Sequence, residues 1–257
     1  MWVRIFLLCC FCSHLLYANR VIFARIEPYE TYSLKAAVSG KVLKTRQQLL
    51  GKVVEDNEPI VHLDDFLDKQ LLESDEQSLK RLESRITALQ KSLQIRQKIA
   101  EDIASLQTKS KIQKDTEELN ALNAEVNLLQ SMEQFYTLQK QIAERKDTIS
   151  KKNLRIQGLY FYKLYVTEGD FVAAGSALAD VMDISQAKII FFLTQEEIEK
   201  IKKGTLLIDG IPLKDREGEI EKIYRVADQD HISEYRVEVK LKGVDFFSKL
   251  VRIEIKE

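Results

Sequence analysis

The sequence predicts an elongated, multidomain α+β fold: a split β-sandwich interrupted by an antiparallel α-helical coiled-coil hairpin and followed by a small β-barrel. Three observations predict it. A glycine-punctuated segment near the start recurs past the middle, a long heptad-patterned stretch separates the two copies, and short strand-like runs with one small helix close the chain.

The first copy begins Ser39-Gly40-Lys41-Val42 and continues through Gly51, Val54, Asn57, Pro59 and Ile60 to Leu63. The second runs from Gly158 to Val181. Gly40 answers Gly158, Gly51 answers Gly169, Val54 answers Val172, Asn57 answers Gly175, Ile60 answers Leu178 and Leu63 answers Val181, always 118 positions apart. Turn formers thus face turn formers, and aliphatic residues face their like. Gly51 and Gly169 are expected at positive φ, with Asn57 as the usual non-glycine substitute at such a turn. Half a sandwich cannot bury its own apolar face. The two copies must therefore pack on each other, and the segment between them must leave and return to one place.

That segment has the required pattern. Leu72, Leu79, Ile86, Leu93 and Ala100 recur every seven residues, and Leu82, Leu89 and Ile103 take the second heptad position. Asp75 and Arg96 interrupt that second position, at a cost in stability and a gain in register. The returning helix is read as carrying Leu119, Leu122, Val126 and Leu129. A shift in phase near Leu129 then leads to Met132, Phe135, Leu138, Ile142 and Ile149. The polar run Lys109 to Asp115, with only Ile112 apolar, is placed at the turn. Each arm is then about 40 residues, or about 60 Å at 1.5 Å per residue. Taken alone, such a hairpin also fits a spacer or a dimerisation rod, because charged heptad faces are normally just solvated.

After the second copy, Ala187 to Leu193 reads as a strand. Gln195 to Lys203 reads as a short helix with Ile198 and Ile201 inward, stopped by Gly204. Strands follow at Thr205 to Ile208, Gly218 to Val226, Tyr235 to Leu241 and Leu250 to Ile255.

The N-terminus begins Met1-Trp2-Val3-Arg4, runs apolar from Ile5 to Tyr17 and reaches Ala18 before Asn19 and Arg20. This is the pattern of a secretory signal peptide at residues 1–18, with an uncleaved anchor as the alternative. All three cysteines, Cys9, Cys10 and Cys12, fall inside it, so the exported chain is expected to have no thiol, disulfide or cysteine metal site. Leu8, Cys9 and Phe11 precede them where a lipid-attachment signal wants a small residue. With 39 basic and 40 acidic residues, a net charge of −1 and no basic stripe interleaved with aromatics, the chain is not expected to bind nucleic acid. His62 and His231 lack neighbours at metal-ligand spacing. Asp64 and Asp65 read as a helix cap, and Asp228 and Asp230 as loop residues, so neither carboxylate pair suggests catalysis. No enzyme activity, metal or cofactor is expected.

In their order, these segments resemble the periplasmic adaptor proteins, or membrane fusion proteins, of bacterial tripartite efflux and secretion systems. The resemblance rests on the Ser39-Gly40-x-Val42 strand, on the hairpin through Gly51, Val54, Asn57, Pro59, Ile60, Leu63 and Asp64, on the coiled coil, and on Gly158, Gly169, Asp170, Val172, Gly175 and Leu178. It covers the whole chain after the signal peptide. It implies an N-terminal strand and the first half of a lipoyl-like sandwich over residues 19–64, a coiled-coil hairpin over 65–152, the second half of the sandwich over 153–184 and a barrel over 185–257. It also implies an inner-membrane transporter as partner, with the proton-driven RND type favoured over an ATP-driven exporter, a TolC-type outer-membrane channel at the hairpin tip, and a homo-oligomeric, hexameric ring in the periplasm. The tip contacts are then expected at Leu106, Lys109, Ser110, Ile112 and Gln113. One large branch of the family carries an Arg, a Leu and a Ser at fixed spacing there. With Leu106 as that Leu, this chain has Asp102 in place of the Arg and Gln113 in place of the Ser, so different contacts are expected. The family's fourth, membrane-proximal domain is expected to be absent. A lipoyl or biotinyl carrier is disfavoured, because such carriers place a modified lysine where this chain inserts its coiled coil. A coiled-coil scaffold of the envelope is the remaining alternative.

Overall fold

The computed structural model describes residues 20–227 and 230–256. The expected signal peptide, its cysteines and Asp228 lie outside the described residues. In chain order the main elements are β1 (Ile22–Lys35), β2 (Gly40–Thr45), β3 (Pro59–Leu63), α1 (Phe66–Ser105), α2 (Lys111–Lys151), β4 (Asn153–Arg155), β5 (Tyr160–Leu164), β6 (Phe171–Val172) and β7 (Ala177–Leu193). Then follow α3 (Gln195–Lys203), β8 (Thr205–Ile208), β9 (Ile211–Pro212), β10 (Glu219–Ala227), β11 (Tyr235–Leu241) and β12 (Leu250–Lys256).

The two copies of the repeat meet as their apolar faces require. Sheet β4-β3-β2-β6 lies against β5, β7 and β1. Between them Val42, Val54, Ile60, Val61 and Leu63 of the first copy bury with Phe161, Val172, Leu178, Ala179 and Val181 of the second. Each copy binds the turn of the other. Val42 N–H donates to Asp170 O and Val42 O accepts from Gly169 N–H, at 2.8 and 2.9 Å; Phe161 N–H donates to Lys52 O and Phe161 O accepts from Gly51 N–H, at 2.9 and 2.8 Å. Val42 is thus matched by Phe161 rather than Tyr160, a one-residue slip within the constant offset. Gly51 and Gly169 adopt φ of 77° and 97°, which a side chain resists. Asn57 does not stand in the left-handed region with Gly175. Its carbonyl instead accepts from Arg155 Nη1, so an ordinary turn conformation suffices there. Gly40 is not left-handed like Gly158 either; a Cβ on it would lie 3.3 Å from Leu63 Cβ, and packing keeps it small.

Two long strands join the sandwich to the barrel. β1 pairs with β12 over Ile22 to Arg25 and with β7 from Ile26 onward, while β7 goes on to pair with β11 over Ala187 to Leu193. Between the pairs Pro28–Ala187 and Glu30–Asp183, residues 184–186 oppose Tyr29 alone, a bulge that bends the ribbon. The expected boundary at residue 184 therefore falls at a bulge inside a continuous strand. Tyr29 fastens this bend: its hydroxyl donates to Glu221 Oε1 at 2.6 Å, and the Lys188 and Lys240 ammoniums lie 4.8 and 5.3 Å from its ring centre. The hydrogen bond to Glu221, with some burial, pushes the phenol up to about 12.

The barrel core gathers Ile189, Phe191 and Leu193 with Ile208, Val237, Val239, Leu241, Val251 and Ile253, and Ile198 and Ile201 of α3 close over it. Thr194 and Glu197 form the capping box that starts α3. A Cβ on Gly204 would lie 2.4 Å from Lys256 O, so the residue that ends the helix must also admit β12.

Candidate functional site

The hairpin is built on the seam that the first helix announces. Leu72, Leu79, Leu82, Ile86, Leu89, Leu93, Ala100 and Ile103 of α1 are all partly covered, and most of their chain neighbours are exposed. Asp75, which interrupts the apolar pattern, accepts from Arg145 Nε of α2 at 3.0 Å, and both side chains are mostly covered. Such a pair at a seam position fixes register. Lys146 meets Glu76 one step outward at 2.7 Å.

The second helix corrects the sequence reading. Its inward residues are Ala121, Ala124, Leu128, Ser131, Phe135, Leu138, Ile142, Arg145 and Ile149, one unbroken heptad series without a shift in phase. Leu119, Leu122, Val126 and Leu129, expected in the seam, are instead each more than half exposed. Small Ala121, Ala124 and Ser131 let α1 approach, and the Ser131 hydroxyl is satisfied by Asn127 O at 3.0 Å.

The turn also sits earlier than expected. Leu106 to Ser110 connects the helices, and Lys111 to Asp115 is already helical. Ser110 is the N-cap of α2: its Oγ accepts from Gln113 N–H at 3.3 Å, and Gln113 Oε1 accepts from Ser110 N–H at 3.2 Å. This is a capping box, and the Ser-x-x-Gln spacing that signals it is present in the sequence. Lys114 Nζ crosses to Ala104 O at 2.7 Å and ties the two arms at the tip. The five candidate contact residues thus fall together on the turn and the first turn of α2, but in two roles. Ser110 and Gln113 are committed to the cap, while Leu106, Lys109 and Ile112 face solvent, Ile112 at 78% exposure.

At the other end, the Asp64–Asp65 pair expected to cap the first helix divides into two roles. Asp64 Oδ1 accepts from Phe66 N–H at 3.2 Å, as a cap does, but Asp65 makes no side-chain cap bond. Asp65 is buried, receives Lys69 Nζ at 2.9 Å and Asn153 Nδ2 at 3.5 Å, and faces His62 Nε2 at 3.3 Å. Burial pushes its carboxyl up, but Lys69, His62 and Asn153 outweigh that and hold it below the usual carboxylate range. Lys152 adds bonds to Asp68 Oδ2 and Asp64 O at 2.5 and 2.6 Å. The hairpin is therefore clamped where it enters and leaves the sandwich.

His231 stacks on Phe192 of β7, the ring centres 3.7 Å apart, whereas His62 belongs to β3. Among the described residues no three His, Cys, Asp or Glu gather as a metal site, and no helix is long and apolar enough to cross a membrane. The cleft between Arg20, α3 and β12, about 300 Å³, is lined by charges already paired, Arg20 with Glu234 and Lys200 with Glu196.

A sandwich split by a clamped helical hairpin and continued into a small barrel is the fold of the membrane fusion proteins. The structure of MacA from Actinobacillus actinomycetemcomitans is similar over 93% of this chain and 78% of that one, with a TM-score of 0.72 and 19% identity. A membrane fusion protein from Streptococcus pneumoniae matches over 93% of this chain and 99% of its own, with a TM-score of 0.61 and 10% identity. A MacA–MexA chimera carrying the α-hairpin domain of Pseudomonas aeruginosa MexA matches over 93% and 81%, with a TM-score of 0.56 and 19% identity. The sequence matches no protein-family model and no curated protein.

Proposed function

We propose that the chain is a periplasmic adaptor of a tripartite efflux pump, a non-enzymatic coupling part that joins an inner-membrane transporter to a TolC-type outer-membrane channel for export of small molecules. The observation that supports this most is the hairpin itself. Two helices of 40 and 41 residues stand on a clamped root and meet at a tip that exposes Leu106 of the connecting turn and Ile112 of the first turn of α2. That is a stiff strut whose polar tip exposes two apolar side chains, mounted on a fold shared with the membrane fusion proteins. The sandwich and barrel are left to dock on the transporter, for which an RND pump is the first candidate and an ATP-driven exporter the second.

The test is in-cell crosslinking from the tip. Lys109 is the position for a photoreactive residue, because Ser110 is needed for the helix cap. An adduct containing an outer-membrane channel is the expected result. Only self-adducts, or none, would replace the adaptor reading with that of an envelope scaffold.

A further inference from the structure

The sandwich that carries the hairpin and the barrel are two bodies joined by one ribbon. Their cores share no residue, and the sheet β4-β3-β2-β6 pairs with no strand of the barrel, whereas β1 and β7 run through both. A two-stranded ribbon twists and bends more readily than a wider sheet. This one is also interrupted at the crossing, where residues 184–186 oppose Tyr29.

Side chains close the crossing instead. Glu30, on the sandwich side, accepts from Lys188 Nζ, on the barrel side, at 3.0 Å. The same ammonium lies 4.8 Å from the centre of the Tyr29 ring, and Lys240 of β11 lies 5.3 Å from it. The Tyr29 hydroxyl then reaches Glu221 Oε1 at 2.6 Å. Glu221 stands at a second irregularity. Ile220 opposes Val239 and Lys222 opposes Glu238, so Glu221 is the extra residue of a bulge on β10, the last strand of its sheet. A bulge re-aims a side chain out of the alternation of its strand. Two bulges, one facing Tyr29 and one holding Glu221, thus bring together β1 and β10, which have β7 and β11 between them. Exposed contacts of this kind are weak one by one because water screens them. A pliant ribbon needs little to hold it, and a phenol that donates to a carboxylate while lying between two ammoniums combines a charge-assisted bond with cation–π attraction.

We infer that Tyr29 sets the angle between the sandwich and the barrel: the β1–β7 ribbon is a hinge, and the Tyr29–Glu221 and Glu30–Lys188 contacts are its lock. In the adaptor reading, on which this consequence alone rests, the angle decides where the hairpin tip stands relative to the docked barrel.

The test is a distance measurement on the purified full chain, by electron paramagnetic resonance between spin labels at the exposed positions Lys52 of the sandwich and Lys203 of α3, attached through p-acetylphenylalanine rather than cysteine. Wild type is expected to give one narrow distribution. Tyr29→Phe keeps the ring and removes the hydroxyl, and is expected to widen the distribution about twofold, as is Glu221→Ala. Glu221→Gln keeps an acceptor for the phenol and should stay narrow. Tyr29→Phe combined with Glu221→Ala should be no wider than either alone, because the same contact is lost in all three. Melting curves are expected to stay unchanged, since neither side chain belongs to a core. A broad wild-type distribution, a Tyr29→Phe distribution as narrow as wild type, or a Glu221→Gln distribution as wide as that of Glu221→Ala would overturn the inference. Should Tyr29→Phe lower the melting temperature, Glu221→Ala decides, because Glu221 is exposed. Narrow distributions in every variant together with a channel adduct from Lys109 would sink this inference and leave the adaptor reading standing. The expected widening with no channel adduct would do the reverse.

Discussion

Asp65 shows how much one side chain holds at the hairpin root, where it touches β3, β4 and the first turn of α1 at once. Asp65→Ala strands Lys69 and Asn153 and is expected to cost about 2 kcal/mol, measured as a shift in the urea midpoint. Its folded carboxyl binds a proton less readily than the unfolded chain's. The stabilisation is therefore complete above the ordinary value of about 3.9 and is lost as pH falls through the lower folded value. The gap between wild type and Asp65→Asn should accordingly be constant near neutrality and close on acidification; a gap that widens in acid would refute the assignment. The repeat turns separate in the same way. Gly169→Ala, at φ 97°, is expected to cost about 1 kcal/mol, whereas Asn57→Ala should stay within about 0.5 kcal/mol because Asn57 is not left-handed. Thermal melts of the two variants compare them directly.

At the scale of the helices, two leucines six positions apart on α2 should behave oppositely. Leu128 is 9% exposed in the seam and Leu122 is 51% exposed outside it. Leu128→Ala is expected to destabilise the hairpin by about 2 to 3 kcal/mol and Leu122→Ala by less than about 0.5 kcal/mol, in melts of the unassociated chain followed by helical circular dichroism. Equal losses would restore the seam that the sequence suggested. Ser110→Ala removes the cap and is expected to cost about 1 kcal/mol, seen first as faster amide exchange in Lys111 to Gln113. The helix starts themselves were legible. The Ser-x-x-Gln and Thr-x-x-Glu boxes sit where α2 and α3 begin, although only the second was placed correctly, because the polar run through Asp115 looked like loop.

Across the whole molecule, the strut is expected to transmit only if its tip binds. Leu106→Asp with Ile112→Asp should abolish export in a resistance assay while leaving the melting curve unchanged, since both residues face solvent and neither belongs to a core. Export that survives the double change would remove Leu106 and Ile112 from the contact. The architecture was legible to a large extent. Repetition at a fixed offset forces two half-sandwiches together, and heptads bounded by that repeat force a hairpin. The bulged continuity of β7, and the passage of β1 from one core to the other, were not legible, because a strand shared by two cores carries no break in pattern where it passes between them.

The sequence by itself determined that the copies must meet, that two long helices must leave and return between them, and where the seam of the first helix lies. Periodicity alone was enough for each. Only the tertiary structure decided which of two heptad series on the second helix is buried. The leucine-rich series looks more like a core, yet the one lined with Ala121, Ala124 and Ser131 is the one that turns inward. Burial follows the partner that is present, and close approach of two helices favours small residues at the contact over large ones that would hold the axes apart.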